Sequence, residues 1–295
     1  MTGPTYDTLD VPVDGGALRV GRWTASDPAA PKVLVAHGVT ANHLAWQSLA
    51  ALDRFTVLAP DLRGRGRSGG LPGPAGMERH ADDLLAVLDH LDLAQALVAG
   101  HSMGGFVAAA FVARHGRRTA GTVLVDGGLP FPPLPDGVTT EQALAATIGP
   151  AAARLTMTFP TTEDYLDYWR PHPALASHWT PELEAYLGYD LDGDRSSVSL
   201  DAVRGDSEDL LGPDRSVTWA GSLPEGTLFL RAPRGMMDDP GGLYAQALVD
   251  QHRATYAGVE FRDVPDTNHY TIVMSEPGAR AVAEALDQVS GRMDR

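Results

Sequence analysis

Cysteine is absent from all 295 residues, which excludes disulfides, thiolate nucleophiles and cysteine metal sites. Lysine is almost absent: Lys32 stands alone, and Asp+Glu at 38 against Lys+Arg at 23 leave a formal net charge of −15. Nucleic acids and anionic membranes are bound through clustered Lys and Arg. Neither partner is therefore expected, and the acidity is read as serving solubility. No apolar run approaches the ~20 residues that cross a bilayer, and Met1-Thr2-Gly3-Pro4 has neither the basic start nor the apolar stretch of a secretory signal. A cytoplasmic protein is the expectation. The ten histidines form no H-E-x-x-H or comparable spacing, so no metal and no cofactor are expected. Nor is G-x-x-x-x-G-K-[ST] present, so the run Arg63-Gly64-Arg65-Gly66-Arg67-Ser68-Gly69 is no phosphate loop. Its arginines are expected to hold a crossover loop through carbonyls and carboxylates, Asp61 among them.

What is present centres on Gly100-His101-Ser102-Met103-Gly104-Gly105, between the apolar run 94–99 and the small-residue helix predicted over 106–114. Strand, sharp turn and helix meeting at one serine is the context in which G-x-S-x-G marks a nucleophile elbow. Small residues must flank such a turn. The helix start leaves the Met103 N–H unpaired and aimed where an oxyanion would form.

Upstream, 11–24 reads as a hairpin turning at Gly15-Gly16, and Lys32-Val33-Leu34-Val35-Ala36 as a strand buried on both faces. That strand ends in His37-Gly38-Val39, where the Val39 N–H would supply a second oxyanion donor. A helix is predicted over 41–52 and a strand over 55–59. A further helix over 77–91 carries Met77, Ala81, Leu84, Leu85, Leu88 and Leu91 on one face. A strand over 121–125 ends at Asp126. Alternating strands and amphipathic helices imply parallel βαβ units, hence an α/β fold with a doubly wound, mostly parallel sheet. Sites then lie at the C-terminal strand edge, where His37-Gly38, Ser102 and Asp126 all fall.

The periodicity breaks at Leu129-Pro130-Phe131-Pro132-Pro133, and 129–212 reads as a helical cap inserted into a core made of 1–128 and 213–295. Eight of the chain's 20 aromatic residues lie in this insertion. Trp169, Trp179, Tyr186 and Tyr189 among them are candidates to wall a pocket for a small-molecule apolar substrate, with packing of the cap onto the core the equal alternative for each. The core resumes with strands over 227–230 and 259–264, and a last helix over 278–289. His269, in the loop before that helix, is placed to act as a general base on Ser102. His37 and His101 are expected to hold hydrogen bonds within their turns.

These pieces together, His37-Gly38, the segment Pro60 to Ser68, Gly100 to Gly105 and Asn268-His269, resemble the α/β-hydrolase superfamily over nearly the whole chain. The resemblance implies Ser102 as nucleophile, His269 as base, an acid between them in chain order, and oxyanion donors at Met103 and Val39. It offers two places for the acid, after the strand ending at Leu230 or at the end of the strand before the cap. Asp238 stands late in the first loop, behind Arg231-Ala232-Pro233-Arg234-Gly235-Met236-Met237. Asp126 closes its strand directly and is favoured. The elbow serine excludes the epoxide and haloalkane chemistries that use an aspartate there. Hydrolysis of an ester or lactone of a medium-sized apolar or aromatic substrate, through an acyl-enzyme on Ser102, is the first expectation. Cofactor-free haloperoxidase or carbon–carbon bond hydrolase chemistry follows, and a non-catalytic ligand-binding member of the fold comes last. The sequence leaves room for a homo-oligomer.

Overall fold

Four runs of Val, Leu and Ala, centred on 33–36, 57–59, 97–99 and 123–125, are almost completely removed from water. Each fully buried Val or Leu contributes on the order of 1.5–3 kcal/mol, so these runs fix the middle of the molecule. The structure, a computed structural model, describes residues 3–72, 75–139, 142–143 and 153–291. Its strands are β1 (Thr5–Val13), β2 (Gly16–Thr24), β3 (Lys32–Ala36), β4 (Thr56–Pro60), β5 (Ala96–His101), β6 (Thr119–Val125), a short pair β7 (Leu191–Asp192) and β8 (Arg195–Ser196), then β9 (Thr227–Arg231) and β10 (Val259–Asp263). The large sheet has the order β1-β2-β4-β3-β5-β6-β9-β10, while β7 and β8 form a sheet of their own. β1 and β2 pair antiparallel, as do β2 and β4, and every other pairing in the large sheet is parallel.

The helices are α1 (Gln47–Ala50), α2 (Met77–His90), α3 (Met103–His115), α4 (Thr162–Trp169), α5 (Pro181–Asp190), α6 (Leu200–Leu211), α7 (Pro213–Gly221), α8 (Gln246–Thr255), α9 (Thr271–Met274) and α10 (Glu276–Ser290). α3 packs on β3, β5 and β6, and α10 on β5, β6 and β9. The predicted helix over 41–52 is instead a 3-10 turn, His43–Trp46, followed by the single turn α1. Asn42 caps that turn by accepting from the Leu44 N–H at 3.0 Å, a local bond that favours a tight start. Between β6 and β9 the chain forms α4 to α7 and the β7–β8 pair. Within the segment 129–212, residues 140–141 and 144–152 lie outside the described residues.

Sheet order locates the site. From β3 the chain moves to β4 on one side and then returns to β5 on the other, so the direction of winding reverses between β3 and β5. Ligand crevices open at the carboxyl ends of strands where this reversal occurs. Ser102 follows β5, and the loop His37-Gly38-Val39 follows β3.

Candidate active site

Ser102 sits between β5 and α3 at φ 56°, ψ −125°. A non-glycine residue held there stores on the order of 1–3 kcal/mol of strain. The neighbouring glycines make the turn possible. A Cβ on Gly100 would lie 1.9 Å from the Gly104 carbonyl oxygen, and one on Gly104 would lie 2.1 Å from that of Ala36. No side chain fits either gap.

The loop after β3 approaches the serine closely, since a Cβ on Gly38 would stand 3.3 Å from Ser102 Cβ. The Val39 N–H and the Met103 N–H have no hydrogen-bond partner among the described residues. Both are open to an acceptor placed beside Ser102. His37 anchors this loop: its Nε2 accepts from the Leu62 N–H at 2.9 Å, which leaves the proton on Nδ1 to donate to the Gly38 carbonyl at 2.8 Å. Complete burial pushes the His37 pKa down to about 3, so the ring is neutral at any ordinary pH.

His269 lies in the loop before α9. Its Nδ1 meets Asp126 Oδ2 at 2.6 Å, and both side chains are almost fully buried. A ring nitrogen facing a carboxylate carries the proton, leaving Nε2 as the acceptor. Asp126 adopts φ 47°, and its other oxygen accepts from the Ala232 N–H at 3.2 Å. His101 Nε2 donates to the His269 carbonyl at 2.7 Å. Burial first, and the neighbouring His269 second, hold the His101 pKa well below the usual histidine value. Asn268 completes the support by accepting from the Tyr270 and Thr271 N–H groups and donating to the Ala174 carbonyl.

Asp238 does not reach His269. Its Oδ1 accepts from Arg234 Nε at 2.7 Å and from Asn268 Nδ2 at 2.9 Å, so among the described residues it meets the histidine loop at Asn268 and, through Arg234, at the Asp266 carbonyl.

Two cavities meet at Ser102. One, of about 30 Å³, is lined by the 38–41 loop, His101, Ser102, Tyr186, Met236, His269, Tyr270 and Met274. The other, of about 60 Å³, is nearly all apolar and includes Val39, Met103, Phe106, Phe131, Leu210, Leu211, Met236 and Leu243. Burial raises the pKa of Tyr186, and raises that of Tyr270 to about 12. Both phenols stay neutral.

Of the four aromatic residues expected to wall a pocket, the structure brings Tyr186 to the site. Trp169 packs among Tyr168, His172 and the Arg154 guanidinium. Trp179 donates to Glu184 Oε1 at 2.6 Å beneath Arg170. The Tyr189 hydroxyl donates to Asp61 Oδ2 at 2.7 Å, with Arg67 over its ring. None of these three lines either cavity at Ser102. From the insertion, α6 adds Ser207, Leu210 and Leu211 to the apolar cavity, three positions at i, i+3 and i+4 on one helical face. That spacing was the available signal. For Met236 and Leu243, in a loop, the sequence offered none.

The arginine loop also departs from expectation in part. Arg63 does hold the crossover, through Asp83 and the Pro72 and Asp14 carbonyls. Asp61, however, takes its bonds from the Arg67 backbone, from Tyr189 and from buried His43.

Neutral buried histidines carry a pH signature. His37 titrates near 3 when folded and near 6.5 when unfolded, so between these values the unfolded chain holds a proton that the native state lacks. Stability must then fall as pH drops below about 6.5, by up to ~1.4 kcal/mol per pH unit for each such histidine. His37→Gln should flatten the fall of the urea midpoint between pH 7 and pH 5. Equal slopes for variant and wild type would contradict the assignment.

Comparison with known proteins places residues 31–225 in the family described as the alpha/beta hydrolase fold. The lipase LipV of Mycobacterium tuberculosis is 38% identical over 110 residues, 37% of this chain and 41% of that protein. A non-heme haloperoxidase of Rhodococcus erythropolis is 34% identical over 120 residues, 40% and 42% of the two chains. The chain thus spans about two fifths of the length of the curated relatives it matches. Among solved structures, E-2-(acetamidomethylene)succinate hydrolase superposes with a TM-score of 0.75 over 96% of this chain and all of that one, at 22% identity. That likeness is one of fold.

Proposed function

The chain belongs to the alpha/beta hydrolase fold family, and from that premise we propose a serine hydrolase that cleaves an ester or lactone of a medium-sized apolar or aromatic substrate. The observation that carries the reading is the 2.6 Å contact of His269 Nδ1 with Asp126 beside the strained Ser102. Ser102 Oγ attacks the carbonyl carbon while His269 Nε2 takes its proton, and the carbonyl electron pair becomes an oxyanion bound by the Val39 and Met103 N–H groups. Collapse expels the alcohol, which receives the proton from His269. Water then releases the acid by the same steps in reverse roles. Residues 129–212 act as a cap that supplies Tyr186, Phe131, Leu210 and Leu211 to the walls.

Cavity size bounds the acyl group. A water occupies roughly 10–15 Å³ on this measure, so about 60 Å³ of apolar space suits a chain of a few carbons. Hydrolysis of p-nitrophenyl esters from acetate to decanoate should peak at the short end, near butyrate, with kcat/KM at least ~10-fold lower for decanoate. A peak at decanoate, or no turnover of any ester, would count against the reading. The haloperoxidase relative favours a second one, cofactor-free halogenation supported by peroxide. Bromination of monochlorodimedone that outpaces ester hydrolysis would select it.

A further inference from the structure

Two buried arginines hold successive carbonyls of the loop that carries Val39. Arg65 Nε donates to the Val39 carbonyl at 2.9 Å, and Arg154 Nη2 donates to the Thr40 carbonyl at 3.0 Å. Each guanidinium is matched by an aspartate from the insertion. Arg65 pairs with Asp206 of α6, and Arg154 with Asp190, the last residue of α5, at 3.1 Å. All four side chains are buried. Arg65 also reaches Met103 Sδ at 3.7 Å, so one side chain touches the residues of both oxyanion donors. Neither arginine lines the cavities at Ser102.

Burying two ion pairs is a poor way to gain stability, because apolar side chains of equal volume generally serve as well or better. An apolar side chain cannot, however, donate to a carbonyl. The loop needs such a hold. It begins at Gly38, whose missing side chain allows the close approach to Ser102 but leaves the backbone conformationally free on that side. The Val39 N–H shares a planar peptide with the Gly38 carbonyl, which His37 and the Ala41 N–H hold, and the arginines fix the next two carbonyls, so the run of peptides from 38 to 40 is held in one arrangement beside Ser102. We infer that Arg65, from the core, and Arg154, from the insertion itself, are positioning residues for the oxyanion site, and that Asp206 and Asp190 of the insertion hold them there. The inference rests on the serine-hydrolase reading above, and it makes transition-state binding depend on an insertion that contributes no catalytic residue.

The test compares two ligands on the folded fraction of each variant. A trifluoromethyl ketone accepts Ser102 Oγ at its carbonyl carbon, so the carbonyl oxygen becomes an oxyanion and the serine proton passes to His269; the matching methyl ketone binds without adding. Arg65→Met should weaken the trifluoromethyl ketone by about 10- to 100-fold, leave the methyl ketone within about threefold, and lower kcat rather than raise KM. Arg65→Lys, which retains one donor, should recover part of the loss. Asp206→Asn should show the same selective loss to a smaller degree, and it decides the matter if Arg65→Met does not fold. Arg63→Met, at a buried arginine that touches no oxyanion residue, should lower the melting temperature and leave the ratio of the two affinities unchanged. Equal weakening of both ligands by the Arg65 and Asp206 variants, or the same selective loss in Arg63→Met, would overturn the inference while leaving the Ser102 reading intact. A wild-type protein that neither binds the fluorinated ketone more tightly than the methyl ketone nor hydrolyses any ester would overturn both.

Discussion

Ser102→Ala is expected to lower kcat on a short-chain ester by about 10⁴- to 10⁶-fold while the protein stays folded. The hydroxyl is the bond-forming group in the proposed reaction, and no other described residue at the elbow could replace it: Met103 and His101 flank it, and the glycines beyond carry no side chain. Stability should change little on substitution by alanine, because Ser102 Oγ caps no helix and alanine meets the same backbone strain. Glycine gives a sharper expectation. At φ 56°, ψ −125° a residue without Cβ relieves the strain, so Ser102→Gly should be equally inactive but more stable than wild type by about 1 kcal/mol. A folded Ser102→Ala protein with more than about a tenth of the wild-type rate would remove Ser102 from the mechanism.

Asp126→Asn carries the second largest expected effect, a loss of about 10³- to 10⁴-fold in kcat. The carboxylate accepts from His269 Nδ1 at 2.6 Å and so fixes the tautomer whose Nε2 is an acceptor. An amide can turn its NH₂ toward Nδ1 instead, which moves the proton to Nε2 and removes the base. Asparagine tolerates the φ of 47° found here, so the backbone should be preserved. Asp238→Asn should stay within about tenfold of wild type, since Asp238 meets Arg234 and Asn268 and no atom of His269. A larger loss at Asp238 than at Asp126, measured on one ester, would transfer the acid to the late loop.

The strand edge that carries the candidate site was legible because its signals are local. A tight strand–turn–helix needs glycines at fixed offsets, parallel strands buried on both faces read as unbroken apolar runs, and an acid directly behind such a run falls on the same edge as the elbow. Between the two places that the resemblance implies for an acid, spacing favoured Asp126 over Asp238, and the structure puts the Asp126 carboxylate against His269. Contacts between distant segments left no such trace. Arg65 and Asp206 stand 141 residues apart, and acidic and basic residues in a chain of this charge read by default as solvated surface. Which aromatic residues of the insertion reach the site was hidden for a related reason. Composition shows how many there are, while their use depends on nearby partners, such as Glu184 for Trp179 and Asp61 for Tyr189. The sheet order, with β4 between β2 and β3, was likewise beyond a reading of periodicity.

The central claim is that Ser102 is a nucleophile activated by His269. The most direct measurement is peptide mapping by mass spectrometry after brief exposure to a fluorophosphonate, which phosphonylates an activated serine with loss of fluoride. The account predicts one adduct per chain, on Ser102, absent from Ser102→Ala and formed at least ~100-fold more slowly by His269→Ala. An unlabelled Ser102 in a protein that still hydrolyses esters, or labelling at full rate without His269, would contradict it.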